Sequence, residues 1–204
     1  MIERPVYFWI LLSYIVVFAG IVLFHSAWGA LVGFHLSLLP VIVRYRKKIY
    51  SSLRVSVSGR LLFGTALTGL IAGAGLWIIW PAMGLSNQFM VSITRLGLSG
   101  GVWAPFIAYF TLVNPILEEA YWRIALGNMS KQPARVDLLF AGYHMIILSQ
   151  FVSIYWMVFS LIILIFASWF WRQTLRFTDS IMPAVCAHLM ADFSLLIVIY
   201  RFSL

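Results

Sequence analysis

From Val6 to Val43 the chain runs 38 residues without a charged side chain. A single helix of that length would reach about 57 Å, nearly twice the ~30 Å of a bilayer's hydrocarbon core. The run therefore reads as two crossings, Val6–Phe24 and Ala27–Val43, folded into a tight hairpin at His25 and Ser26. A signal peptide would end in a small-x-small cleavage site; none is evident after the first run, so it is kept as a span. Five more apolar stretches follow: Leu61–Trp80, Gly101–Trp122, Val136–Phe151, Ser153–Trp171 and Ile181–Tyr200. Pro81–Gly100 mixes polar and apolar residues and reads as an outer loop or interfacial helix. The expectation is an all-α, polytopic transmembrane bundle of about seven spans (six to eight). Residues 1–204 are expected to form one integral membrane domain, with N-terminal helices and a basic cytoplasmic loop over 1–100 and the remaining helices over 101–204.

Composition agrees. Of 204 residues, 63% are apolar and 10% charged, against roughly 45–50% and about 25% in soluble domains. So few polar groups cannot cover a soluble fold, which excludes cytosolic globular, disordered and nucleic-acid-binding classes. The net charge of +8 is explained by topology. Arg44, Arg46, Lys47, Lys48, Arg54 and Arg60 crowd the stretch after span two, which the positive-inside rule places in the cytoplasm of a cytoplasmic-membrane protein. Counting crossings from there brings Arg123, Lys131, Arg135, Arg172 and Arg176 to the same side and leaves Arg95 and Arg201 outside. The basic stretch also suits anionic lipid headgroups. The lone cysteine, Cys186, precludes an internal disulfide and reads as inert packing.

Ionisable side chains within spanning helices are costly and are functional candidates by default. Here they are Glu118, Glu119, Arg123, His144, His188 and Asp192. Counted from the cytoplasmic ends, Glu118, His144 and His188 lie at a common depth of about 8–13 Å. Glu119 and Arg123 are four apart and can pair on one helix face, which leaves Glu118, about 100° round, available for chemistry. Phe140 and His144 share a face, as do His188 and Asp192. Pro115 removes the amide that would bond the Thr111 carbonyl, so the fourth span should open beside this cluster. Asp137 and Asp179 read as interfacial helix ends, with Asp179-Ser180 starting the last span and Pro183 in its first turn. His25 and His35 read as packing histidines.

Glu118-Glu119-x-x-x-Arg123, then Phe140-x-x-x-His144, then His188-x-x-x-Asp192, on three successive hydrophobic helices, resembles the CPBP family. Its members are the CAAX proteases and bacteriocin-processing (Abi) enzymes of the membrane. The resemblance covers about the last hundred residues. It implies a glutamate-dependent intramembrane endopeptidase whose catalytic helices lie in 101–204. Carried over, Glu118 with His144 would activate a water, His188 and Asp192 would occupy the oxyanion-stabilising positions, and Glu119, Arg123 and Phe140 would support them. A carboxylate base and a histidine donor suit such hydrolysis; one oxyanion donor typically contributes ~10²–10³-fold. Two departures stand out: Ile124 where members often have Gly, and Asp192 where many have Asn. An ionised Asp accepts hydrogen bonds and cannot donate one. Asp192 is thus neutral, orients His188, or serves a metal, in which case Glu118, His144, His188 and Asp192 would be a Zn-type ligand set. The implied partner is a peptide or membrane-protein substrate, prenylated or not, approaching from the cytoplasmic side. Two other classes stay open: an inactive CPBP-like scaffold that regulates a partner protein, and a proton- or metal-coupled transporter. The latter lacks inverted repeats and a polar path to the outer side.

Overall fold

In a computed structural model of the chain, residues 4–85 and 87–203 are described. They form α-helices and short helical turns, and no strand occurs among them. The N-terminal hairpin consists of α1 (Arg4–Phe18), extended by a π-helical turn over Ala19–Leu23, and α2 (Ala27–Arg44). His25, at φ 47°, makes the reversal, and the Ser26 hydroxyl caps α2 by accepting from Gly29 N at 3.0 Å. Gly20 lies against Ala30, where a side chain would meet the facing backbone. The absence of a Cβ therefore permits the tight hairpin.

The remaining helices are α3 (Arg46–Arg54), α4 (Gly59–Ile79), α5 (Asn87–Arg95), α6 (Trp103–Glu119), α7 (Arg135–Leu148), α8 (Ile154–Thr178) and α9 (Met182–Phe202). The α4 helix lies along α9 for most of its length. The spacing Gly69-x-x-x-Gly73 is the reason. A methyl at Gly69 would strike the Ala187 carbonyl, and one at Gly73 would strike Ser194. Small residues on both helices let the backbones touch, which is how helices associate where lipid removes the hydrophobic drive.

Five segments are long and apolar enough to cross a membrane: Ala27–Arg44, Gly59–Met83, Gly100–Ala125, Ile154–Thr178 and Met182–Phe202. Large apolar side chains such as Phe63, Ile71, Ile78 and Phe166 point outward from them, as they do when the surroundings are lipid rather than water. All seven expected stretches are helical, but two are short. The apolar part of the first is Tyr7–Leu23, and α7 has 14 residues, about 21 Å. By contrast α8 runs seven residues past the expected Trp171, because Arg172, Gln173 and Arg176 find partners within the protein.

Contacts define two ends. At one, Ala27 N donates to Leu96 O at 2.9 Å, Trp80 stacks on Phe202 at 4.3 Å, and Phe89 meets Phe151. At the other, Lys48 Nζ donates to Ile124 O at 2.9 Å and Ser52 Oγ to Asp179 O at 3.1 Å. The basic residues of the expected inner loops gather at this second end. There the stretch after α2 is the helix α3 rather than a loop. Asp179 does not start α9. It is the left-handed C-cap of α8 (φ 55°), its N–H donating to Leu175 O at 2.8 Å. Pro183 does fall in the first turn of α9.

Candidate active site

Glu118 and Glu119 end α6, where the helix widens into a π-helical turn over Ala120–Ala125. Such turns re-aim side chains and recur at functional sites. Both carboxylates are fully buried. They do different things. Glu119 receives Arg123 Nε at 2.9 Å on Oε2 and Arg123 Nη2 at 3.3 Å on Oε1, and it also accepts from His188 Nδ1 at 2.9 Å. Glu118 takes the Tyr143 hydroxyl on Oε1, whereas its Oε2 is buried without a hydrogen-bond partner. That oxygen lies 3.6 Å from His188 Nε2.

His188, on α9, is fixed from all sides. Its ring stacks on Trp171 at 4.5 Å and meets the edge of Phe140 at 5.9 Å. Its Nε2 faces two carboxylates, Glu118 Oε2 and Asp192 Oδ1 at 3.4 Å. Both ring nitrogens thus look at acceptors, so the ring is placed to donate from each of them. Asp192 in turn accepts from Asn114 Nδ2 at 3.0 Å. Its two oxygens thus face two nitrogen donors, Asn114 Nδ2 and His188 Nε2.

His144 stands apart from this triangle. Its Nδ1 donates to the Phe140 carbonyl at 2.8 Å, and its Nε2 is 3.0 Å from the Tyr143 hydroxyl. Tyr143 thus intervenes between His144 and Glu118. Of the four residues that a metal would require, His144 lies furthest from the others' shared contacts. Both nitrogens of His144 are engaged, and among the described residues no group of three or more His, Cys, Asp or Glu is arranged to hold an ion.

Phe140 does more than wall one histidine. Its ring lies 4.9 Å from His144 and carries the Arg123 guanidinium at 4.6 Å on one face. Arg123 also donates to Ser168 Oγ at 2.7 Å, and Ser168 donates to Asp137 Oδ1 at 2.9 Å. Asp137 lies in the first turn of α7, at the helix end expected from the sequence. It is fully buried and paired to Arg172 at 2.7 Å, while its Oδ2 also accepts from Ala134 N at the start of α7. Arg172 further donates to the Ser130 and Gln132 carbonyls at 2.5 and 2.7 Å, pinning the loop between α6 and α7.

The cluster also continues the other way. His35 Nε2 donates to Asn114 Oδ1 at 3.0 Å, and the Tyr109 hydroxyl is 3.1 Å from His35 Nδ1. His35 is thus part of the site's support. His25 keeps its structural role, bonding Ile21 O at 3.2 Å and Arg95 at 2.6 Å beside the hairpin turn. Ser168 lies outside the three motifs and Tyr143 is only a variable position within Phe140-x-x-x-His144, so neither stands out in the sequence, and His35 reads there as a packing residue. Asn114 carried a signal, one turn before Glu118 and next to Pro115.

No family model, curated protein or solved structure matches the chain. The site's own geometry is therefore what bears on its chemistry.

Proposed function

We propose that the chain is an intramembrane, glutamate-dependent endopeptidase of the kind the CPBP family represents, seated in the cytoplasmic membrane with seven crossings and its site in the cytoplasmic half. The observation that carries this reading is Glu118 Oε2: a buried carboxylate oxygen without a partner, 3.6 Å from His188 Nε2. Unsatisfied buried polar atoms are rare in folded proteins and concentrate where a reactant is to be received.

In this reading a water held at Oε2 gives its proton to Glu118 as its oxygen bonds the peptide carbonyl carbon. The charge that develops on the carbonyl oxygen is met by His188 Nε2–H. Asp192 and Glu119 keep the imidazole aimed and charged, and Asn114 keeps Asp192 in place. Collapse of the adduct breaks the C–N bond, and the proton on Glu118 passes to the leaving amine. The substrate is a peptide or the tail of a membrane-anchored protein, lipidated or not. Because Glu118 is fully buried, catalysis requires α6 to part from its neighbours, and Pro115, which deletes one rung of the α6 ladder, is where it would yield.

The same burial favours a second reading, an inactive scaffold whose ion pairs simply tie helices together. Cleavage of a peptide library by purified chain, with Glu118→Gln and with a chelator, separates the two. We expect Glu118→Gln to lose about 10²–10⁴-fold of the rate and the chelator to change nothing. No cleavage by the unmodified chain overturns the peptidase reading in favour of the scaffold; loss on chelation with restoration by Zn²⁺ overturns the metal-free chemistry.

A further inference from the structure

Tyr143 is only a variable position of Phe140-x-x-x-His144, yet it joins the two residues that the motifs mark as water-activating. Its hydroxyl is hydrogen-bonded to Glu118 Oε1 and lies 3.0 Å from His144 Nε2. The proton inventory of this trio is restrictive. The Phe140 carbonyl can only accept, so His144 Nδ1 carries a hydrogen. A tyrosine hydroxyl has one hydrogen to give. If it points to Glu118, the hydrogen of the other bond sits on His144 Nε2, and the pair is carboxylate and imidazolium. If it points to His144, the remaining hydrogen sits on Glu118 Oε1, and the pair is carboxylic acid and neutral imidazole. The two arrangements have the same atoms, the same protons and the same net charge. They differ by one proton hop along each hydrogen bond.

We propose that Tyr143 is a positioning residue that relays the Glu118 proton to His144, so that His144 is a proton store rather than a ligand of the attacking water. The proposal rests on the peptidase reading of the site. Its physical reason is that burying an ionised carboxylate is costly and Glu118 is fully buried, whereas in the neutral arrangement neither Glu118 nor His144 carries a charge. When water and peptide enter, the Glu118 Oε1 proton moves to the tyrosine oxygen as the tyrosine's own proton moves to His144 Nε2. Glu118 is then a carboxylate, and Oε2 takes the proton of the attacking water. After the C–N bond breaks, the Oε2 proton goes to the amine, and the relay runs backwards to restore the neutral pair. No co-reactant is needed, and the engagement of both His144 nitrogens is accounted for.

Two readouts on the full chain in detergent test this. In ¹⁵N-histidine spectra, with His144 assigned by its loss in His144→Gln, Glu118→Gln should shift the His144 resonances when Tyr143 is present and leave them in place in a Tyr143→Phe background. An equal shift in both backgrounds, or in neither, overturns the relay. In cleavage assays Tyr143→Phe should lower kcat about 10²-fold while KM stays within about twofold; an unchanged kcat overturns it. The phenylalanine keeps the ring contacts with Phe34 at 4.8 Å and Trp122 at 6.1 Å. Should it still fail to fold, fluorotyrosine at position 143, whose hydroxyl is more acidic, should move the same His144 resonances, and a static spectrum counts against the relay. The two ideas fail separately. Coupling without any cleavage overturns the peptidase reading and keeps the proton link, whereas cleavage without coupling does the reverse.

Discussion

Two adjacent glutamates in the same helix end have opposite surroundings. Glu119 is held by Arg123 and His188, and Glu118 Oε2 has no hydrogen bond, with His188 Nε2 at 3.6 Å. Removing one member of a buried pair leaves the other charge uncompensated, at about 3–5 kcal/mol. Arg123→Ala should therefore lower thermal stability in detergent by an amount of that order. Arg123→Lys should recover part of it, because an ammonium cannot make the two-pronged contact with Glu119. Asn114 sits between His35 and Asp192. Asn114→Leu strips a partner from each, at about 1–3 kcal/mol per orphaned group, and should slow cleavage by releasing Asp192 from its register with His188. A variant with undiminished kcat would remove Asp192 orientation from the mechanism.

Among the helices, the contact of α4 with α9 depends on absent side chains. Gly69 and Gly73 face α9 with no room for a methyl, and Gly75, on the same helix, faces open space. Overpacking costs about 1–3 kcal/mol. Alanine in a helix interior is otherwise better than glycine by about 1 kcal/mol. Gly69→Ala should therefore lower the unfolding temperature, and Gly75→Ala should leave it unchanged or raise it. If the two behave alike, close packing is not what holds α4. Short α7 poses the opposite case. At 14 residues it is tied at its N-terminal end by Asp137 to Arg172, and along its length by Phe140 and Tyr143 to the site.

Across the whole molecule, charge and contact define the same two ends. The end with α3, the 126–134 loop and the α8–α9 junction holds most of the basic residues, whereas the other holds Arg95 and Arg201. With Cys186 replaced by serine, an impermeant maleimide should label Gln150→Cys in intact cells, and Lys47→Cys and Lys131→Cys only after lysis; all three side chains lie at exposed positions. The reverse pattern would invert the orientation and put the site in the outer half. A polar chain runs through the bundle from Tyr109 and His35, through Asn114, Asp192 and His188, to Glu119, Arg123, Ser168, Asp137 and Arg172. Its continuation beyond the motifs is what a transporter would need. Arg123, which donates to Glu119 and to Ser168, joins its two halves.

The sequence alone determined the helical class, the places of all seven apolar segments, the hairpin at His25 and the ionisable members Glu118, Glu119, Arg123, His144, His188 and Asp192 of the polar cluster. These follow from one-dimensional rules: apolar length against bilayer thickness and the cost of charge in an apolar run. Only the tertiary structure decided that Glu119 also pairs with His188, that Asp192 accepts from Asn114, that Asp137 is buried with Arg172, and that Tyr143 stands between Glu118 and His144. Spacing along a helix says which residues share a face. Partners on other helices are chosen by packing, and a hydrogen bond between residues 25 or 78 positions apart leaves no periodic trace.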